Sequence, residues 1–246
     1  MNSEIKPMVR LEQFDKWYGK IHAVKCVDLE VRAGEAFVLF GPNGSGKTTI
    51  LKAACGLHRP SSGRVLIDGI DMAAEPEEAK KRIAYLPQRV VVPGLLTGRE
   101  LLTFYAGLRG VDPAKIEETL EFVSLSEDAD RLTREYSGGM VQRLGLGIAY
   151  LQDVPILLLD EPTLSLDSTG IEQFRRWIRA LKERSVTVLF TTHIVENASQ
   201  LADRVGVIVD GRLVSVHGAA EFQDKGVLVT TVIEGGKPLG GGRGAQ

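Results

Sequence analysis

Ala36-Phe37-Val38-Leu39-Phe40-Gly41-Pro42-Asn43-Gly44-Ser45-Gly46-Lys47-Thr48-Thr49 decides the fold. A short apolar run stops at a glycine, and a helix-forming segment begins after Gly46. Between them, Gly41 to Thr48 keep the spacing G-x-x-x-x-G-K-T, which cradles phosphate groups. Gly41, Gly44 and Gly46 carry no Cβ, so the backbone can turn tightly and bring its N–H groups close to phosphate oxygens. Pro42, Asn43, Ser45 and Thr49 belong to the same cradle. A helix opening near Lys47 aims unpaired N–H groups and the positive end of its dipole at the same anion. Lys47 adds a full positive charge for the β- and γ-phosphates, and the Thr48 hydroxyl is placed to bind Mg²⁺. A chance glycine turn would not need the strand before it and the helix after it.

Ile156-Leu157-Leu158-Leu159-Asp160-Glu161 is the next decisive stretch. Four apolar residues in a row suit a strand buried on both faces of a parallel sheet. Two carboxylates follow at its carboxyl end, where ligands sit in open α/β sheets. Successive strand residues face opposite ways, which predicts different roles for the two. Asp160 can join Thr48 at Mg²⁺, and Glu161 can orient or deprotonate a water. Val186 to Phe190 reads as another buried strand, ending at Thr191-Thr192-His193. A lone histidine is usually structural, but one at a strand's carboxyl end beside a phosphate site can donate to the γ-phosphate.

Further features are more ambiguous. Lys16-Trp17-Tyr18-Gly19 places aromatics beside a glycine turn. These serve either the core or a nucleobase that stacks on them, and spacing alone favours the core. Tyr136-Ser137-Gly138-Gly139-Met140 precedes a helix bearing Val141, Leu144, Ile148 and Leu151. Ser137 is a natural N-cap, and the two glycines open a second helix N-terminus to a ligand. An ordinary flexible helix start is the competing reading.

The rest of the chain alternates strands and helices. Val9–Phe14 and Val27–Val31 alternate apolar with polar residues, as half-buried strands do. Val65 to Ile67 and Ile83 to Leu86 are short strands, and Asp68-Gly69 reads as a hairpin turn. Residues 89–150 look all-helical. Thr97 with Glu100 fits a capping box, and Asp112-Pro113 reads as N-cap and first helical residue. Asp167-Ser168 caps a helix with Ile171, Phe174, Ile178 and Leu181 inward. Val205–Val209 and Arg212–Val216 form a hairpin around Asp210-Gly211. Val227 to Ile233 reads as a last strand, and the Gly-rich residues 235–246 as a disordered tail. The expected class is α/β: a mostly parallel buried sheet, an N-terminal antiparallel β subdomain and an inserted helical subdomain, all within residues 1–234.

Composition narrows the function. With 246 residues and 43% apolar content the chain can bury one sizeable core. A net charge of −2 argues against nucleic acid as a partner. Cys26 and Cys55 lack the spacing of a metal or redox motif and read as reduced thiols. The first residues lack the apolar region of a secretory signal, and no apolar run approaches the ~18 residues of a spanning helix. A cytoplasmic protein is expected, held at a membrane only through a partner.

Taken together, Tyr18, Gly41 to Thr48, Gln88, Ser137-Gly138-Gly139, Ile156 to Glu161, Asp167 and His193 resemble the ATP-binding cassette ATPases, from about Val9 to His217. The Ser-Gly-Gly signature between the phosphate loop and the acidic strand discriminates, since unrelated nucleotide hydrolases share the loop. The resemblance implies ATP and Mg²⁺ as ligands. Tyr18 would stack on adenine, Gln88 would sense Mg²⁺ and the attacking water, Glu161 would be the catalytic base and His193 the γ-phosphate contact. Asp167 would lie in a loop that crosses the dimer interface. Two subunits, identical or related, would pack head to tail, each ATP lying between one phosphate loop and the other subunit's Ser137-Gly138-Gly139. Tyr136 and Met140 depart from the usual Leu and Gln of the signature, and Ser165 from the usual Ala or Gly before Leu-Asp. Leu86-Pro87-Gln88, Leu96 to Glu100 and Gln142 to Leu146 are similar to the type-2 exporter ATPases, in particular those serving copper-site maturation of nitrous-oxide reductase.

Such a motor would dock on an integral membrane subunit. The apolar, Pro/Gly-broken segment that follows Gln88, Val90 to Leu96, is the expected groove for it. Two other readings fit less well. Repair ATPases of the family carry a long coiled coil where only about 50 residues without heptads stand here, and translation members carry two cassettes. A GTPase would need an Asn-Lys-x-Asp motif, which is missing.

Overall fold

Alternation brings the first two strands together, and bulges decide their length. In the computed structural model, which describes residues 7–223, β1 (Pro7–Tyr18) pairs antiparallel with β2 (Ile21–Arg32). Both outrun the alternating segments that mark them in the sequence. Gln13 and Cys26 each adopt a φ of 47°, and the register shifts on both sides of Phe14. The inward phase slips at such bulges, so Phe14 and Asp15 are both buried. β4 (Ser62–Ile67) and β5 (Ile70–Asp71) extend this sheet in the order β2-β1-β4-β5. Asp68 and Gly69 turn the hairpin with positive φ at both positions, as a type I′ turn requires.

The second sheet delivers the chemistry. β3 (Ala36–Phe40) is buried throughout and runs parallel between β8 (Thr187–Thr192) and β9 (Arg204–Val209). β7 (Ile156–Leu159) runs parallel to β8 and to β6 (Ile83–Leu86). β10 (Arg212–Gly218) closes the edge antiparallel, giving the order β10-β9-β3-β8-β7-β6. Because β3, β6, β7 and β8 are parallel, the residues that follow them emerge on one edge of the sheet. These are Gly41, Gln88, Asp160 and His193.

Strand alternation splits the interior in two. Phe37 and Leu39 join the core under the antiparallel sheet and α1 (Lys47–Ala54), whereas Val38 and Phe40 face the helices on the other side. That second layer holds α3 (Gly98–Arg109), α4 (Lys115–Phe122), α5 (Gly138–Leu151) and α6 (Ser168–Glu183). Short helices include α2 (Pro76–Lys80) and α7 (Val195–Leu201).

The Thr97 capping box forms in both directions: Glu100 N–H donates to Thr97 Oγ1 at 3.1 Å, and Thr97 N–H donates to Glu100 Oε2 at 2.8 Å. Asp112 behaves differently from the expected N-cap. Its Oδ1 accepts from Ala114 N–H at 2.9 Å, and α4 begins only at Lys115, because the side chain closes a turn ahead of the helix. On α6, Phe174, Ile178 and Leu181 face inward as expected, but Trp177 rather than Ile171 completes the buried stripe. The expected strand Val227 to Ile233 and the tail 235–246 lie outside the described residues.

Candidate nucleotide site

Gly41 and Gly46 show why the phosphate loop is glycine-rich. A Cβ on Gly41 would stand 2.1 Å from the Ile208 carbonyl oxygen, and Gly46 turns at a φ of 106° to start α1. The cleft beside it measures about 300 Å³. Asn43 to Thr49, Ala23, Gln88 and Glu161 line it.

Lys47 is buried, and its Nζ donates to the Gly41 and Pro42 carbonyls at 2.8 and 3.0 Å. Burial pushes its ammonium below the ordinary lysine value, and the nearby Glu161 and Asp160 carboxylates pull it back up. Glu161 Oε1 stands 3.7 Å from Lys47 Nζ and 3.1 Å from His193 Nδ1. One carboxylate therefore stands between a buried ammonium and an exposed imidazole beside the cleft.

Asp160 and Glu161 do have different surroundings, though strand alternation is not the reason. β7 stops at Leu159, and Glu161 sits in the left-handed region at a φ of 47°. Asp160 Oδ1 accepts from Thr48 Oγ1 at 3.1 Å and from Thr191 Oγ1 at 2.7 Å. Its Oδ2 is buried with no hydrogen-bond partner. A hard oxygen pair from one hydroxyl and one carboxylate, with one oxygen left over, suits Mg²⁺, which binds few protein groups and completes its shell with phosphate and water.

Thr191 is the residue that sequence reasoning passed over. Its hydroxyl accepts from Glu161 N–H at 2.8 Å while donating to Asp160 Oδ1. It joins the two carboxylate positions from the neighbouring strand. Polar threonines at the carboxyl end of a buried apolar run, beside the acidic strand, were the available signal.

The aromatics overturn the core reading. Trp17 and Tyr18 are 46% and 39% exposed. Trp17 stacks on His22 at 3.9 Å between ring centroids, and Tyr18 meets His58 edge-on. Their hairpin position gives them polar neighbours, His22, His58 and Lys16, and leaves ring surface exposed that suits a base.

Ser137 caps α5, its Oγ accepting from Met140 N–H at 3.3 Å. Tyr136, in place of leucine, is buried and donates its hydroxyl to the Asp128 carbonyl at 2.7 Å, tying the turn to the helical layer. Asp167 caps α6 through Gly170 N–H at 2.7 Å. Ser137, Gly139, Ser165 and Asp167 line a cleft of their own, with no residue in common with the phosphate-loop cleft. Gly41 to Thr48, Asp160, Glu161, Gln88 and His193 are thus brought together, and Ser137-Gly138-Gly139 are not.

A phosphate cradle at a helix N-terminus, facing a metal-suited aspartate and a second buried carboxylate, defines a nucleoside-triphosphate hydrolase. The ABC transporter family matches residues 24–164. The chain belongs to this family and is an ATP-binding, ATP-hydrolysing cassette. It is 37% identical to the bacitracin transport ATP-binding protein BcrA of Bacillus licheniformis over 84% of this chain and 68% of that one. It is 35% identical to the daunorubicin/doxorubicin resistance ATP-binding protein DrrA of Streptomyces peucetius, over 91% and 69%. The ATP-binding cassette MJ0796, solved as a dimer in a post-hydrolysis state with ADP and Pi, superposes with a TM-score of 0.77 at 30% identity, over 86% of this chain and 99% of that one.

Proposed function

We propose that two copies of this chain close head to tail around two ATP molecules and drive an integral membrane exporter subunit. The observation that carries this is the separation of the two glycine-opened helix starts into different clefts of one chain. Each can reach the same triphosphate when it comes from the opposite subunit. Two helix N-termini then share one anion, and closure draws on contacts made only with nucleotide bound.

In this reading Tyr18 stacks on adenine, residues 41–49 hold the phosphates, and Lys47 leaves its loop carbonyls for the β- and γ-oxygens. Thr48, Asp160 and Gln88 would hold Mg²⁺, which when bound neutralises phosphate charge. Glu161 takes the proton of the attacking water, and His193 donates to the γ-phosphate.

In this reading the membrane part belongs to a partner, with this chain peripheral on its cytoplasmic face; among the described residues no helix is long and apolar enough to cross a membrane. Val91, Leu95, Phe104 and Leu108 are each at least 60% exposed and offer it an apolar surface. Val92 packs against the helical core instead, so the contact surface alternates along the segment. The bacitracin and daunorubicin relatives favour efflux of an organic compound over copper-site maturation as the process served.

Glu161→Gln tests the arrangement. With ATP and Mg²⁺ this variant is expected to elute as a dimer in size-exclusion chromatography, and with ADP as a monomer. A monomer under both conditions would refute the head-to-tail reading.

A further inference from the structure

A non-glycine residue at positive φ persists where its surroundings over-determine it. Glu161 is such a residue, and three buried side chains from three elements hold its loop. Thr191 of β8 accepts from Glu161 N–H at 2.8 Å. Asn197 of α7 donates from Nδ2 to Thr163 Oγ1 at 2.9 Å. Gln142 of α5 donates from Nε2 to the Pro162 carbonyl at 3.1 Å. Gln142 and Asn197 are each 3% exposed, so neither bond competes with water.

Gln142 differs from the other two in what it is attached to. It stands in the first turns of α5, the helix that Ser137 caps and that Gly138 and Gly139 open. At ~1.5 Å of rise per residue, about 4–5 Å of rigid helix separates Gly139 from Gln142. The same loop touches the turn again further on: a Cβ on Gly139 would meet the Ser165 carbonyl oxygen at 3.4 Å. A shift of the turn is therefore delivered to the residue next to Glu161.

We propose that Gln142 is a positioning residue that couples the Ser137–Gly139 turn to the Glu161 carboxylate of its own subunit. The inference rests on the head-to-tail reading. There the turn contacts the triphosphate held by the partner, while Glu161 serves the triphosphate held by its own phosphate loop. Gln142 then makes the readiness of one site depend on occupancy of the other. Asn197 steadies the same loop from α7, a helix that carries no part of the turn.

Steady-state ATP hydrolysis by the full chain, as a function of ATP concentration, tests the coupling. Gln142→Met keeps the length and removes the donor. It is expected to lower kcat roughly tenfold and move the Hill coefficient from the wild-type value, which cannot exceed about 2 for two sites, toward 1. Affinity for a fluorescent ATP analogue should stay within about twofold, since Gln142 does not line the phosphate cleft. Asn197→Leu should lower kcat and keep the wild-type Hill coefficient. Gln142→Glu is the second variant and carries its own readout. A protonated carboxyl can donate to the Pro162 carbonyl and a carboxylate cannot, so cooperativity relative to wild type should return as pH falls. A wild-type Hill coefficient in Gln142→Met, or equal loss of cooperativity in Asn197→Leu, would overturn the proposal while ATP-dependent dimerisation of Glu161→Gln stands. If that dimer does not form, the head-to-tail reading falls and the coupling falls with it.

Discussion

Thr191→Val is the sharpest test of how the two carboxylates are held. Valine keeps the branched shape and exchanges the hydroxyl for a methyl group. Two bonds disappear from a site with no solvent access, since Thr191 is 0% exposed. Glu161 N–H would face a methyl, and a buried donor without an acceptor costs about 1–3 kcal/mol. Asp160 Oδ1 would lose one of its two donors, and a hydrogen bond to a charged group contributes about 1.5–3 kcal/mol. The sum, about 2.5–6 kcal/mol, is a large share of a typical stability of roughly 5–15 kcal/mol. At ~2–4 °C per kcal/mol for a chain of this size, the melting temperature should fall by about 10 °C. Differential scanning calorimetry at neutral pH without nucleotide reads this directly. Because the same hydroxyl positions Glu161 and Asp160, kcat should fall roughly tenfold to a hundredfold as well. A melting temperature within about 2 °C of wild type, with kcat within about twofold, would show that the hydroxyl does not join the two positions.

Two further outcomes follow from the site and the first sheet. Lys47→Ala should weaken nucleotide binding and slow hydrolysis together, whereas His193→Ala should slow hydrolysis far more than it weakens binding. Fluorescent-nucleotide titration beside phosphate release separates the two, and equal effects from both variants would count against the assigned roles. Asp15 supplies a pH dependence away from the site. Burial alone would raise its carboxyl, but the His22 hydrogen bond at 2.8 Å and the His22 charge, with help from Cys26, hold it below 3.8. A folded-state value below the unfolded one contributes stability above pH 3.8 that is lost as pH falls through the lowered value. The gap in urea midpoint between wild type and Asp15→Asn should be open at about pH 5 and close on further acidification. A gap that widens on acidification would reverse the sign of this argument.

What could be read in the sequence was whatever chemistry imposes locally. The phosphate loop, the Asp160-Glu161 pair and the Thr97 capping box each carry their physics in a few consecutive residues. The capping box forms both of its bonds as expected. Features that depend on what packs from elsewhere escaped. Trp17 and Tyr18 look like core residues until their hairpin is seen to leave them exposed. The bulges at Gln13 and Cys26 break alternation, which hid the true length of β1 and β2. Val91 and Val92 are alike in sequence, yet one faces outward and the other the helical core. Thr191, Gln142 and Asn197 act through partners about 20 to 34 residues away. No spacing rule reports that distance. Only the closing of the sheet and the seating of α5 and α7 bring such pairs into register.

Phe222 sits beyond β10, yet it is wholly enclosed and meets Phe40 edge-on at 5.1 Å between ring centroids. Phe40 is the residue on which Gly41 is hung. The end of the described chain therefore acts as a stopper beneath the start of the phosphate cradle. A protein shortened at the close of β10 would keep every catalytic group and still carry a hollow under the strand that presents them. Emptying a phenylalanine's place costs about 3–5 kcal/mol. The smallest working version of this motor has to run past residue 222, well after the final motif that its chemistry uses.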